Sequence, residues 1–124
     1  MATLNATLTL SSTDISSNRL NISVTDILTT AAAGPSKGLS RETITTSDNQ
    51  EILDEAVSGV FYFYAKNLDS TNFIILQTTA SVQYARLGPG EFAFFPVNDG
   101  AGVEARADTS SCIIEYGYLS LIHI

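Results

Sequence analysis

Apolar side chains in this chain recur at every second residue, and turn-forming residues interrupt the pattern about every 8–12 positions. In residues 2–10, Leu4, Ala6, Leu8 and Leu10 alternate with Thr3, Asn5, Thr7 and Thr9. A period of two sends successive side chains to opposite sides of an extended backbone, so this segment predicts a half-buried strand. Leu20, Ile22 and Val24 repeat the pattern, Gly34-Pro35 and Gly38 break it, and residues 39–46 read as a third, more polar strand. From Gly59 onward Val60-Phe61-Tyr62-Phe63-Tyr64-Ala65 is apolar on both faces. That is expected of a central strand covered on both sides or packed against another chain.

Further strands are predicted at residues 73–77, 81–87, 91–97, 103–107 and 112–122. Pro96 marks an edge or bulge and Gly117 a bulge. The Asn- and Asp-rich residues 67–72 predict a hairpin turn whose return strand is 73–77. Residues 98–102 predict another hairpin loop, and residues 108–110 turn the chain again. Residues 47–57 are ambiguous. Ser47 with Gln50 matches a helix capping box, and Ile52, Leu53, Ala56 and Val57 suit one helical face, but a seven-residue helix is marginal and a strand is preferred. The pattern as a whole predicts an all-β fold: a single-domain antiparallel β-sandwich, jelly-roll-like, of about 8–9 strands.

With 124 residues, 44% of them hydrophobic, the chain is long enough for one self-sufficient core, and the reading is one domain over 1–124. No linker detaches the N-terminal part, so residues 1–50 are expected to belong to the same sandwich and could include an attachment arm. The net charge of -7 and only six Lys and Arg argue against nucleic acid as a partner, because phosphate binding needs clustered bases. A membrane is no better a candidate: no stretch approaches the roughly 20 apolar residues of a span. The start of the chain shows no basic, apolar leader, so synthesis and folding in the cytoplasm are expected.

Residue types that carry chemistry are sparse. Cys112 is the sole cysteine and sits in the apolar run Ser111-Cys112-Ile113-Ile114, where a small buried hydrophobe is the simplest reading. His123, the one histidine, lies too far along the same predicted strand, at about 3.3 Å per residue, to act as its base. Glu104 and Glu115, on strands predicted to be neighbours, could form a carboxylate pair, but the simpler reading is surface charge beside Arg106 and Arg86. Asn67, Asp69 and Thr71 loosely follow the spacing of a calcium loop, but lack its central Gly and distal Glu and are read as turn residues. The expectation is therefore a protein without catalytic residues, metal or cofactor.

What remains is an aromatic band. All Phe and Tyr residues, six and five respectively, fall after residue 60. Alternation cannot bury all of them in one small core, so a subset should reach a second surface. The candidates are Tyr62, Tyr64, Phe92, Phe94, Tyr116 and Tyr118.

The run GVFYFYAKNLDSTNFIILQ, then LGPGEFAFFPV, then VEARAD and IIEYGYL, spanning roughly residues 56–120, resembles the small virion structural proteins of tailed bacteriophages. In those proteins a strand ending in Lys-Asn leads to an Asp-Ser-Thr-Asn turn, a Gly-Glu-Phe strand and a closing Glu-Tyr strand. The resemblance makes Lys66, Asn67, Asp69, Thr71, Asn72, Glu91 and Phe92 fold-defining turn and strand residues. It implies a virion location and a capsid decoration or cement subunit that forms a homo-oligomer, trimer or dimer, and binds the major capsid protein or other virion proteins. A phage tail or head-tail connector component is the runner-up. A carbohydrate- or ligand-binding β-sandwich module is the alternative from another class.

Overall fold

The computed structural model describes residues 2–14, 20–30, 37–47, 50–56, 59–98 and 100–120. Ten strands account for most of them, and no helix occurs among the described residues. Eight strands form two four-stranded antiparallel sheets. The first has the order β3 (Lys37–Ile44), β10 (Cys112–Ser120), β5 (Val60–Asn67), β8 (Phe92–Pro96). The second has the order β4 (Glu51–Leu53), β9 (Val103–Ala107), β6 (Ile74–Gln77), β7 (Gln83–Leu87).

Both sheets contribute inward side chains to one core. Ile44, Phe63, Ala65, Ile114 and Tyr116 come from the first sheet, and Ile52, Ile74, Leu76, Leu87, Val103, Ala105 and Ala107 from the second. This is the antiparallel β-sandwich that the alternation predicts, with each inner face supplied by every second residue.

The path between strands differs from the hairpin reading. β5 and β6 lie in different sheets, as do β8 and β9, and β9 and β10. The chain therefore passes from one layer to the other between β5 and β6, between β8 and β9, and between β9 and β10, where the sequence predicts hairpin turns. Only β6 and β7 are consecutive neighbours within the sandwich. Turn chemistry alone does not distinguish a hairpin from an arch, because both need the same reversal of direction.

Asn67 shows how one such arch is held. Its side chain is fully buried; Nδ2 donates to the carbonyls of Asn72 (2.8 Å), Leu87 (3.1 Å) and Gly88 (3.2 Å), and Oδ1 accepts from the Asp69 amide (2.9 Å). Asp69 in turn accepts from the amides of Thr71 and Asn72. The Asn67-Asp69-Thr71 spacing is thus a set of side-chain-to-backbone bonds tying β5 to the turns before β6 and after β7.

The ambiguous segment resolves into a short strand, β4, flanked by turns. Gln50 uses its side chain on the preceding loop instead of capping a helix. Its Nε2 donates to Thr45 O and Ser47 O, and its Oε1 accepts from the Thr45 amide and hydroxyl. Asp54 accepts from the Ala56 amide and turns the chain out of β4. Gly102 has a φ of 73°, and an added Cβ there would lie 3.1 Å from Leu53 O and from the Glu55 backbone nitrogen, so glycine alone fits this crossing. In β10 the register against β3 shifts between Tyr116 and Tyr118, which places the expected bulge at Gly117.

The first two strands stand apart from the sandwich. β1 (Ala2–Ser12) and β2 (Leu20–Thr30) pair with each other residue for residue, from Ala2↔Thr30 to Ser12↔Leu20, and form a separate two-stranded sheet. Directly opposed residues share a face. One side of this ribbon thus carries Leu4, Ala6, Leu8 and Leu10 with Ile22 and Val24, and one charge, Asp26, opposite Ala6. The other carries Thr7 against Thr25, their hydroxyls 3.2 Å apart.

Candidate interaction surface

Strand β5 sends Phe63, Ala65 and Asn67 into the core, so Tyr62, Tyr64 and Lys66 point outward from the first sheet. On the edge strand β8 the same alternation buries Phe95 against the core and leaves Phe92 and Phe94 outside. The register sets Tyr64 opposite Phe94 and Lys66 opposite Phe92. Four of the six candidate aromatics thus converge on one outer face. The Tyr62 and Phe94 rings stack with centroids 5.7 Å apart and planes 11° from parallel.

Neighbouring strands extend this face with Leu39 from β3 and Ile113 and Leu119 from β10. Exposure is high for apolar groups: 70% for Leu39, 63% for Phe92, 40% for Phe94. One polar cluster interrupts it. Glu115 accepts a hydrogen bond from the Tyr64 hydroxyl (3.2 Å) and pairs with Arg41 (3.4 Å). Partial burial, and then the Glu115 carboxylate, hold the Tyr64 hydroxyl above its ordinary pKa.

The ribbon stands over this face. Between them runs an open groove of about 590 Å³, bordered on the ribbon side by Leu4, Ala6, Leu8 and Val24 and on the sheet side by Leu39, Phe92, Phe94 and Leu119 among others. Its lining is predominantly apolar.

The other two candidates lie elsewhere. Tyr116 is 6% exposed and belongs to the core, and Tyr118 packs against the core while also bordering the groove. Both follow from the inward phase of β10, in which Ile114, Tyr116 and Tyr118 alternate with Ile113, Glu115 and Leu119.

The weighed catalytic residues do not come together. Glu104 lies in the second sheet, 2% exposed, with the Gln77 amide donating to it at 3.2 Å, whereas Glu115 is on the outer face of the first sheet. The prediction that they occupy neighbouring strands fails, because β9 and β10 belong to different layers. The description of Glu104 as surface charge is corrected with it. Cys112 is buried as expected, its thiol 3.4 Å from Ser110 O; burial, and then nearby Asp69, push its pKa up, away from a nucleophilic thiolate. His123 lies outside the described residues.

Arg86, read from sequence as a possible carboxylate partner, instead sits over the Phe73 ring at 3.7 Å. Among the described residues no group of three or more His, Cys, Asp or Glu is placed to hold a metal ion, and no helix is long and apolar enough to cross a membrane.

Sequence reasoning missed two features: the buried hydrogen-bonding role of Asn67, and the ribbon as a separate layer above the aromatic face. For Asn67 the signal was its place at the inward phase of β5, after Phe63 and Ala65. No family model matches the chain, and no significant match to it exists among the curated proteins or the solved structures.

Proposed function

We propose that this chain is a non-enzymatic virion structural protein, a capsid decoration or cement subunit that assembles as a homo-oligomer and binds the major capsid protein. The observation that carries this reading is the outer face of the first sheet. Phe92, Phe94, Tyr62 and Leu39 lie together on a rigid sandwich, partly open to solvent, beneath an apolar ribbon. Exposed aromatic and aliphatic surface of this kind marks a site covered by another macromolecule, and aromatic side chains supply much of the binding energy at such sites.

The strand orders β3-β10-β5-β8 and β4-β9-β6-β7 support a jelly-roll reading of the sandwich, an architecture found among capsid proteins. A tail or head-tail connector component would use the same surface. The carbohydrate-binding alternative calls for polar side chains beside the aromatic platform, and the predominantly apolar lining of the groove weighs against it.

Co-sedimentation with undecorated capsids of the parent virus tests the proposal. The wild-type protein should pellet with capsids, and Phe92→Ser with Phe94→Ser should stay in the supernatant while keeping its fold. Both residues are exposed, so their loss leaves the core intact. Retention on a polysaccharide matrix with no binding to capsids would overturn it.

A further inference from the structure

Each edge of the sandwich carries a feature that discourages pairing with another strand. β3 bears Arg41 and Glu42. β8 ends in Pro96, which has no amide hydrogen to donate. β4 is three residues long and begins with exposed Glu51. β7 bears exposed Arg86 and a register shift against β6. Charges, proline, bulges and shortness are the usual means by which sheet edges stay monomeric.

β1 has none of these. Over Ala2–Ser12 it contains no charged residue, no proline and no glycine, and its register with β2 is unbroken. Among the described residues it pairs with β2 alone. Consecutive residues Leu4, Asn5, Ala6, Thr7 and Leu8 all border the groove, so the edge of the strand, and not just one face, opens into it.

We infer that the free edge of β1 is the contact between two copies of this chain, the strands running antiparallel about a two-fold axis at Thr7 and joining two ribbons into one four-stranded sheet. The inference deepens the homo-oligomer part of the proposed function and rests on it. Self-complementarity is the first argument. With Thr7 opposite its own counterpart, Ala6 meets Leu8 and Leu4 meets Leu10, so even-numbered residues face even-numbered ones and the two apolar faces become continuous.

Charge is the second argument. A two-fold axis sets the residue on it against its own copy and brings its neighbours close to theirs, so a charge there would lie near a like charge. In a chain of net charge -7, β1 carries none. Stability is the third. The β1 edge opens into the groove, and a four-stranded sheet gains the stability that a lone two-stranded ribbon lacks.

Sedimentation velocity on the full chain tests the inference, with two variants. The wild type should be a dimer. Thr7→Lys, which sets two ammonium groups against each other at the axis, should weaken dimerisation at least tenfold. Thr43→Lys on the β3 edge should leave it unchanged. Thr7→Cys should form an intermolecular disulfide on oxidation, because facing residues of an antiparallel pair lie about 4.5–5.5 Å apart at Cα, within disulfide range. Thr3→Cys, off the axis, should not.

A monomeric wild type would overturn both this contact and the oligomer it rests on. An oligomer that persists in Thr7→Lys, or a Thr7→Cys protein that does not cross-link, would overturn the β1 contact alone and leave the proposed function to the capsid assay.

Discussion

The ribbon and the sandwich are written in the same pattern, yet they bury very different amounts of it. β1 alternates Leu4, Ala6, Leu8 and Leu10 with polar residues as regularly as any strand of the sandwich, but Leu8 and Leu10 remain exposed, as do Ile22 and Val24 opposite them. In β5 the inward phase, Phe63 and Ala65, is wholly buried. Alternation says that a strand has an apolar side; it does not say what covers that side. In the sandwich the second sheet does so. Among the described residues, the ribbon faces the outer side of the first sheet across an open groove.

If the contrast is real, core and ribbon substitutions should differ several-fold in cost. Phe63→Ala removes a fully buried ring that contacts Phe95, with centroids 5.6 Å apart, and should destabilise the sandwich by about 3–5 kcal/mol. Leu10→Ala in the ribbon should change the sandwich's unfolding by less than about 0.5 kcal/mol, since no ribbon side chain among the described residues belongs to the buried core. Urea unfolding followed by Phe and Tyr fluorescence measures both, because every aromatic residue lies in the sandwich portion. Comparable values would mean that ribbon and sandwich unfold as one unit.

Asn67→Ala should come next in size. It removes the donor for three backbone carbonyls and the acceptor for the Asp69 amide. Each buried polar group left unmatched costs ~1–3 kcal/mol, so a loss of about 3 kcal/mol in the same urea titration is expected. A loss below about 1 kcal/mol would show that the arch between the sheets does not depend on this side chain.

Much of this was legible in the sequence. The all-β class, the central position of β5, the bulge at Gly117 and the outward placement of Tyr62, Tyr64, Phe92 and Phe94 follow from a period of two together with the turn residues. The assignment of strands to layers was not legible. The Asp69 turn can close a hairpin or launch an arch, and the choice depends on what the next strand packs against, a long-range property absent from local spacing. The inward phase of Tyr116 was obscured for a related reason, since β10 is apolar on both faces and alternation offers no preferred side. The ribbon's separation from the sandwich left no mark in its alternation, because the pattern is that of any half-buried strand.

The turns of the sandwich offer a pH-dependent handle. The amides of Asn72 and Thr71 hold the Asp69 carboxyl below its ordinary pKa of 3.8. A group whose pKa is lowered on folding binds its proton less readily in the native state. Its contribution is therefore fully present above the ordinary value and is lost as the pH falls through the lower, native one. The stability difference between wild type and Asp69→Asn should be constant near neutrality and should narrow below about pH 4, where the unfolded carboxyl takes up its proton. Urea midpoints measured across that range decide the point. A difference independent of pH would mean that the carboxylate charge contributes nothing to this turn.

The smallest expected effect tests the contrast most directly. Thr7 and Thr25 face each other on the polar side of the ribbon with their hydroxyls in contact, a cross-strand pair that contributes roughly 0.2–1 kcal/mol to a two-stranded sheet. If the ribbon opens independently of the sandwich, Thr25→Ala should leave the global urea midpoint unchanged and should accelerate amide hydrogen exchange by up to about fivefold in β1 and β2 alone, since local opening reports local free energy. Under the alternative, in which the groove closes and ribbon and sheet share one cooperative transition, the same substitution shifts the midpoint and leaves no region exchanging faster than the rest. The substitution sits on the face opposite Leu4, Leu8, Leu10, Ile22 and Val24, so a midpoint shift would have to arise from coupling between the two layers and not from lost core packing.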